Sequence, residues 1–288
     1  MTDLFRIEGP AVVSFSGGRT SSYMLWRILQ AHGGKLPDDV LVIFQNTGKE
    51  ERATLDFIRK CEIEWKVRMT WLEFNGFVEG GRSKVYYRVV DWDSASRDGE
   101  PYEKLIEALK MLPNPVARTC TSYLKVKTMI SYLHAGGWAE WDTALGIRAD
   151  EPRRVARLRA PGRDERGGHA LIPLADAGVS AADVGAFWAS QTFDLKLPNN
   201  GGKTMHGNCD LCFLKGPNQI LSLIRERPER ALWWIKQEEK IVKAGDGAHA
   251  KFRNDRPSYR QMYEMATRHQ ELFAFEIEDT LTDCMCTD

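Results

Sequence analysis

Hydrophobic and polar positions in the first third of the chain switch between two periods. "AVVSF" (Ala11 to Phe15) is an unbroken apolar run ending at Ser-Gly-Gly, which predicts a buried strand. Met24, Leu25, Ile28 and Leu29 then recur at helical spacing, and Gly33-Gly34 ends that helix. "DVLVIFQNTG" is a second buried strand. "KEERATLDFIRKCEI" is an amphipathic helix with acids early and Arg59-Lys60 late, and "VRMTWLEF" is a third strand. Strand, helix, strand, helix, strand predicts a parallel sheet with crossover helices.

The middle is less regular. "KVYYRVVD" alternates as a strand or hairpin arm, and "PYEKLIEALKML" reads as a helix starting at Pro101. "TCTSYLKVKTMISYLHAGG" is a helix stopped by Gly136-Gly137, "DTALGIRAD" another strand, and "EPRRVARLRAPGRDERGG" an exposed basic helical turn followed by a mobile loop. "HALIPLAD" is a short strand, and "SAADVGAFWASQ" a helix capped by Ser180. Pro, Asn and Gly are dense from Leu197 to Asn208, a connection. Beyond it the patterns are helical, down to the acidic tail "EIEDTLTDCMCTD".

Composition narrows the function classes. The 288 residues are 43% hydrophobic and 28% charged, ordinary for a globular chain with a core. No apolar run approaches the ~20 residues that span a bilayer, and no signal pattern opens the chain, so no membrane partner and a cytoplasmic location are expected. Forty basic residues balance forty acidic ones, which excludes coating nucleic acid by bulk charge but not a local basic groove. Six cysteines in such a chain point to metal or redox chemistry wherever they cluster.

Candidate chemistry begins at the first turn. Ser16-Gly17-Gly18-Arg19-Thr20-Ser21 follows the first strand and opens a helix. Open parallel sheets bind ligands at such carboxyl ends. Gly17 and Gly18 let the backbone approach an anion, the helix N-terminus points amides at it, and Ser16, Thr20 and Ser21 add hydroxyls. A purely structural glycine turn has the same pattern.

Three further segments accompany it. "SFSGGRTS" resembles the SGGxDS signature of the PP-loop ATP pyrophosphatase superfamily, and "QNTGKEERAT" its second-strand loop. "LGIRADEPRR" and "LIPLADAGVSAADVGAFWASQTFDL" resemble segments of its phosphoadenosine phosphosulfate (PAPS) reductase branch. The four occur in order between Val12 and Leu195. The resemblance implies a Rossmann-like (HUP-type) α/β fold, with residues 1–200 as the adenine-nucleotide domain and 201–288 as a mainly helical C-terminal region. It further implies that Ser16, Gly17, Gly18, Arg19, Thr20 and Ser21 hold phosphates. Asn46, Thr47, Gly48 and Gly146 would line the site, and backbone at Ser14 and Phe15 would meet adenine. Arg148 and Arg153 or Arg154 would meet phosphate or sulfate oxygens, with Glu151 orienting one of them. Thr20 departs from the pattern: it stands where the family has an Asp, which removes either a contact for Mg2+ or a negative charge near the expected anion.

"HGNCDLCFLKGP" contains Cys209-x-x-Cys212, a knuckle that presents two thiolates to one metal. "RTCTSYLK" places Cys120 at a helix start and resembles a segment of iron–sulfur members of the superfamily. That resemblance implies an iron–sulfur cluster (4Fe-4S) on Cys120, Cys209 and Cys212, the fourth position being Cys284, Cys286 or open. Zinc fits the same spacing. Cys61 lies among apolar helix positions and reads as core. The resemblance to PAPS reductases, whose tail cysteine attacks the sulfonate sulfur, implies that nucleophilic role for Cys284 or Cys286; a terminus with incidental thiols is the plain reading. Lys251, Arg253, Arg256 and Arg260 beside Phe252 and Tyr259 read either as a polyanion surface or as a solvated face over buried aromatics.

The function expected is ATP-dependent sulfur transfer to an acceptor, nucleic acid among the candidates. The alternatives are a PAPS or adenylyl-sulfate reductase releasing sulfite, and a non-catalytic nucleotide or cluster sensor. The partners implied are ATP or PAPS, a sulfur donor or thioredoxin-like reductant, and a second copy of the chain as a homodimer.

Overall fold

The computed structural model describes residues 3–160, 168–200, 203–207, 209–243 and 250–268. Cys284, Cys286, His249 and the loop 161–167 lie outside them. The first half follows the periodicities: β1 (Ala11–Phe15), α1 (Arg19–Ala31), β2 (Val40–Gln45), α2 (Arg52–Trp65) and β3 (Met69–Phe77). Next come β4 (Val85–Val90), α3 (Glu100–Leu109), a π-helical stretch Cys120–Lys127 running into α4 (Thr128–Ala135), β5 (Asp142–Leu145) and α5 (Pro152–Arg159). After the short β6 (Ala170–Leu171) and α6 (Pro173–Asp176), α7 (Ala181–Ser190) begins on a capping box in which Ser180 and Asp183 exchange hydrogen bonds. A small ribbon, β7 (Asn199–Asn200) and β8 (Lys203–Thr204), leads to α8 (Pro217–Glu226), α9 (Ala231–Lys243) and α10 (Tyr259–Arg268).

The fold is a Rossmann-like α/β sheet of six strands in the order β4-β3-β2-β1-β5-β6, followed by a helical C-terminal region. Its pairs are parallel except β3–β4. The antiparallel edge follows from connection length: a short turn joins β3 to β4, too short for the crossover a parallel pair needs. β1 lies at the centre. The chain winds outward from it through β2 and β3, then returns to place β5 on its other side. That reversal makes the carboxyl ends of β1 and β5 the switch point of the sheet.

Strand alternation fills both faces. Ala11, Val13 and Phe15 join Met24, Leu25, Ile28, Ile58 and Trp188 in one core, whereas Val12, Ile43 and Leu72 meet Met129 and Leu133 of α4 in another. Cys61 is fully buried in the first. A further core spans residue 200: Phe74, Tyr102, Leu105 and Ile106 pack with Cys209, Cys212, Ile220, Trp234, Phe252 and Tyr259. Each large apolar side chain enclosed this way stabilises the fold by about 1.5–3 kcal/mol. The C-terminal helices therefore dock on β3 and α3 and bring the cysteine knuckle to the β2 end of the sheet.

Candidate functional site

At the end of β1, Gly17 takes φ +78°, and a Cβ there would stand 2.6 Å from Thr54 Cγ2 and 2.9 Å from Ile58 Cδ1. Both the backbone conformation and the close approach of α2 require glycine. The Ser16 and Ser21 hydroxyls are 2.9 Å apart, and the Ser16 amide donates to Ser21 Oγ at 3.2 Å. Gly18 is the N-cap of α1, without a side-chain cap. The turn is thus held by its own hydroxyls at the head of a helix, a geometry that accepts anions. Ser14 pairs with Ile43 and Leu145 within the sheet, and Phe15 is core.

The loop after β5 closes on the same turn. A Cβ on Gly146 would lie 3.0 Å from Ser21 Cα, so glycine lets the two loops touch. Arg148 Nη1 donates to Thr20 Oγ1 at 3.1 Å, and its Nε to Asp150 at 2.9 Å. Thr20, standing where the motif has an acid, therefore anchors the arginine of the neighbouring loop. Glu151 accepts from the Arg148 amide at 2.9 Å and pairs with the buried Arg154. Arg153 is exposed. Between the two arginines that the sequence offers, the fold brings Arg154 to Glu151.

Arg19 is used differently. Its guanidinium is buried, grips Asp194 through two hydrogen bonds of 2.8 and 2.7 Å, and donates to the Leu197 carbonyl and Thr204 hydroxyl. It straps the segment after α7 across the start of α1, a planar-fork task that lysine would not perform.

The loop after β2 is buried and densely hydrogen-bonded. Asn46 is wholly buried; its amide nitrogen donates to Glu73 Oε1 (2.7 Å) and to the Ser96 carbonyl (2.8 Å), and its oxygen accepts from Gly48 N at 3.1 Å. Glu73 also accepts from Ser96 and pairs with Arg88. Gly48 takes φ +76° with the Gly99 backbone against it. Thr47 Oγ1 donates to Glu50 at 2.9 Å and lies 3.4 Å from Cys209 Sγ. Burial raises the Glu50 carboxyl above its ordinary range, against the opposing effects of Lys125 and of hydrogen bonds from Thr47.

The knuckle docks on this loop. Glu50 and Cys209 form an antiparallel bridge, and the Asp210 amide donates to the Lys49 carbonyl at 2.7 Å. The buried Lys49 Nζ and Asp210 Oδ2 are 3.1 Å apart, and Trp234 Nε1 donates to Asp210 Oδ1 at 2.9 Å. Lys49 Nζ also lies over the Trp233 ring. Cys120, at the start of the π-helical stretch, packs against the same core as Cys209 and Cys212. All three thiols neighbour the Tyr102 phenol, and burial first, then these cysteines, push that phenol well above the usual tyrosine range.

No protein-family profile matches the chain. It is 33% identical over 214 residues, 73% of this chain and 67% of the relative, to a protein of Escherichia phage lambda named "Uncharacterized nin region protein ORF290". The chain belongs to the family of that phage protein. The relative's name states no activity, so chemistry must come from the site.

As a donor set, two buried thiols and a half-buried third in one core suit a thiophilic metal or an iron–sulfur cluster. Among the described residues, no three His, Cys, Asp or Glu side chains already stand as a metal site. Cys284 lies outside the described residues. Sequence reasoning missed Glu73, Tyr102, Lys49 and Asp210. Glu73 carried a signal, a charge inside an apolar strand where Leu72 and Phe74 are buried on either side. The other three are placed by docking of the C-terminal helices, which no local pattern encodes. Phe252 and Tyr259 are buried, Arg253 pairs with Asp255 and Arg260 with Glu239, and Arg256 donates to the Lys215 carbonyl at 2.9 Å.

Proposed function

We propose that this chain is a PAPS reductase-like PP-loop enzyme that binds an adenine nucleotide and uses a thiol-held iron–sulfur centre in sulfur transfer to an acceptor. The observation that carries the reading is the 3.4 Å contact between Thr47 Oγ1 and Cys209 Sγ, which joins the β2 loop to the cysteine knuckle at the ligand-binding end of the sheet. Cys120, Cys209 and Cys212 would hold the cluster, which supplies sulfur or electrons when bound.

The chain's own groups do the rest. Amides of Gly17 to Ser21 and the head of α1 hold phosphate oxygens, and the Ser16 and Ser21 hydroxyls orient them. Arg148, fixed by Thr20 and Asp150, sits at the rim of that turn and offsets charge growing on phosphate or sulfate oxygens. The hydrogen-bonded β2 loop keeps the nucleotide and the thiols in register. With ATP, pyrophosphate leaves as an acceptor oxygen attacks the α-phosphate.

Anaerobic protein titrated with ATP and PAPS tests this. Wild type should bind at least one of the two, and Ser16→Ala with Gly18→Ala should abolish binding. Retained affinity in the double variant removes the phosphate cradle. Purified anaerobically, the protein should carry iron and sulfide, lost in Cys209→Ser and kept in Cys61→Ser. Sulfite formed from PAPS with a thioredoxin-like reductant would assign the reductase branch instead; pyrophosphate released from ATP only with nucleic acid present supports transfer.

A further inference from the structure

Charge is unevenly spread at the carboxyl end of the sheet. The chain as a whole is neutral. Two of its segments are not: 78–84 and 118–127 carry Arg82, Lys84, Arg118, Lys125 and Lys127 against one acid, Glu79. The fold sets both at the ligand-binding end. β3 runs parallel to β2 and ends at Phe77, so the turn 78–84 projects past the carboxyl end of the sheet. The π-helical stretch Cys120–Lys127 runs into α4, which returns the chain to the amino end of the parallel strand β5. The stretch therefore starts from the carboxyl end as well.

The two segments touch. Lys127 Nζ donates to the Arg82 carbonyl at 2.8 Å and lies 4.5 Å over the Tyr123 ring, which packs edge-on against Phe77. Arg82 and Lys84 are exposed. The Val78 amide donates to the Lys84 carbonyl, so strand pairing continues to Lys84, and alternation puts Lys84 and Tyr86 on one face. Tyr86 is 51% exposed on β4, the edge strand. Inward, the charge of Lys125 acts on Glu50, which bridges to Cys209. Cys120 opens the same stretch and is half-buried, whereas Cys209 and Cys212 are buried. The basic ridge thus leads to the most accessible of the three thiols.

A local excess of cations on a neutral chain selects a polyanion. The exposed tyrosine beside them selects among polyanions: it offers a flat face to a base, which an acidic protein does not have and a duplex keeps inside its own stack. We infer that the ridge of Arg82, Lys84 and Lys127 binds single-stranded nucleic acid, with phosphates on the cations and a base on Tyr86, and that this strand is the acceptor led toward Cys120. The inference rests on the sulfur-transfer reading above and names the class of its acceptor.

Fluorescence anisotropy tests this. The full chain is titrated into labelled RNA of about 12 nucleotides and into DNA of the same sequence, each single-stranded and as a duplex. Salt is varied between about 50 and 200 mM. Single-stranded RNA, DNA or both should bind more tightly than duplex. The triple variant Arg82→Gln, Lys84→Gln, Lys127→Gln should lose at least about tenfold in affinity, and the log–log salt slope should become shallower by about 0.7 per cation removed, whatever the sequence. Arg82→Gln with Lys84→Gln, confined to the exposed turn, should show most of that loss should Lys127→Gln disturb the π-helical stretch. Tyr86→Ala should lose about fivefold or more with the slope kept. Lys35→Gln with Lys66→Gln, two exposed lysines before the amino ends of β2 and β3, should match wild type. Undiminished affinity in both ridge variants overturns the inference. So does a wild type that prefers duplex, binds polyglutamate as tightly, or binds no nucleic acid. Those results leave the sulfur-transfer reading to its own test, ATP or PAPS binding with iron and sulfide content, which the ridge variants should keep at the wild-type level.

Discussion

The glycine turn and the cysteine knuckle meet at one end of the sheet but are built in opposite ways. The turn is local: Ser16 and Ser21 bond each other, Gly17 supplies the backbone conformation, and β1 and α1 hold it from both sides. The knuckle is assembled from afar, from the β2 loop, α3, the π-helical stretch and α9. A local device keeps its shape when its surroundings are disturbed. An assembled one depends on every contact that docks it, so lesions on the cysteine side should spread into the loop after β2.

The largest test of that difference is Asp210. It is buried, pairs with Lys49, and accepts from Trp234 Nε1 and the Leu211 amide. Asp210→Asn leaves Lys49 a buried cation without its counter-charge, which should destabilise the protein by about 3–5 kcal/mol in urea unfolding. Lys49→Met with Asp210→Leu removes both charges and should recover most of that loss. If the single variant unfolds with wild-type stability, the knuckle is not docked by this pair and the contrast between the two sides falls.

Legibility in the sequence follows the same division. The turn occupies consecutive residues, and Gly17, Ser16 and Ser21 were readable because strand, glycine and helix cap are all short-range patterns. β1 to β3 and their helices emerged for that reason as well. The antiparallel β4 was half-readable, since alternation identifies a strand but not its direction. Cys209-x-x-Cys212 was visible as a motif, whereas its neighbours Tyr102, Lys49 and Asp210 were not, because their proximity is set by the packing of a core that spans residue 200. Arg19 shows the limit within a motif: the sequence offers it as a phosphate contact, and only the fold reveals Asp194 as its partner.

On the turn side the sharper lesion is Gly17→Ala. The left-handed backbone costs a residue with a Cβ about 1–2 kcal/mol, and crowding against Thr54 and Ile58 adds about 1–3. The loss in chemical unfolding should be about 2–5 kcal/mol and should come with loss of nucleotide binding, while cobalt affinity at the thiols stays within about threefold, less than ~0.7 kcal/mol. Loss of both binding activities would show that the turn and the knuckle form one cooperative unit.

Gln237 gives the smallest and most discriminating test. It lies on α9 between Trp233 and Trp234 in azimuth, and both tryptophan rings contact Tyr102. Its side chain is wholly buried, and neither Oε1 nor Nε2 has a hydrogen-bond partner among the described residues. Two buried polar atoms in this condition destabilise the fold, and methionine has nearly the same length and shape without them. Gln237→Met should therefore raise stability by about 1–2 kcal/mol, read as a higher urea midpoint with an unchanged slope. The turn has no counterpart to this, since its hydroxyls satisfy one another. A fall in stability would mean that the Gln237 amide is held by a group of the cysteine side, and that this half of the site is as fully satisfied as the glycine turn.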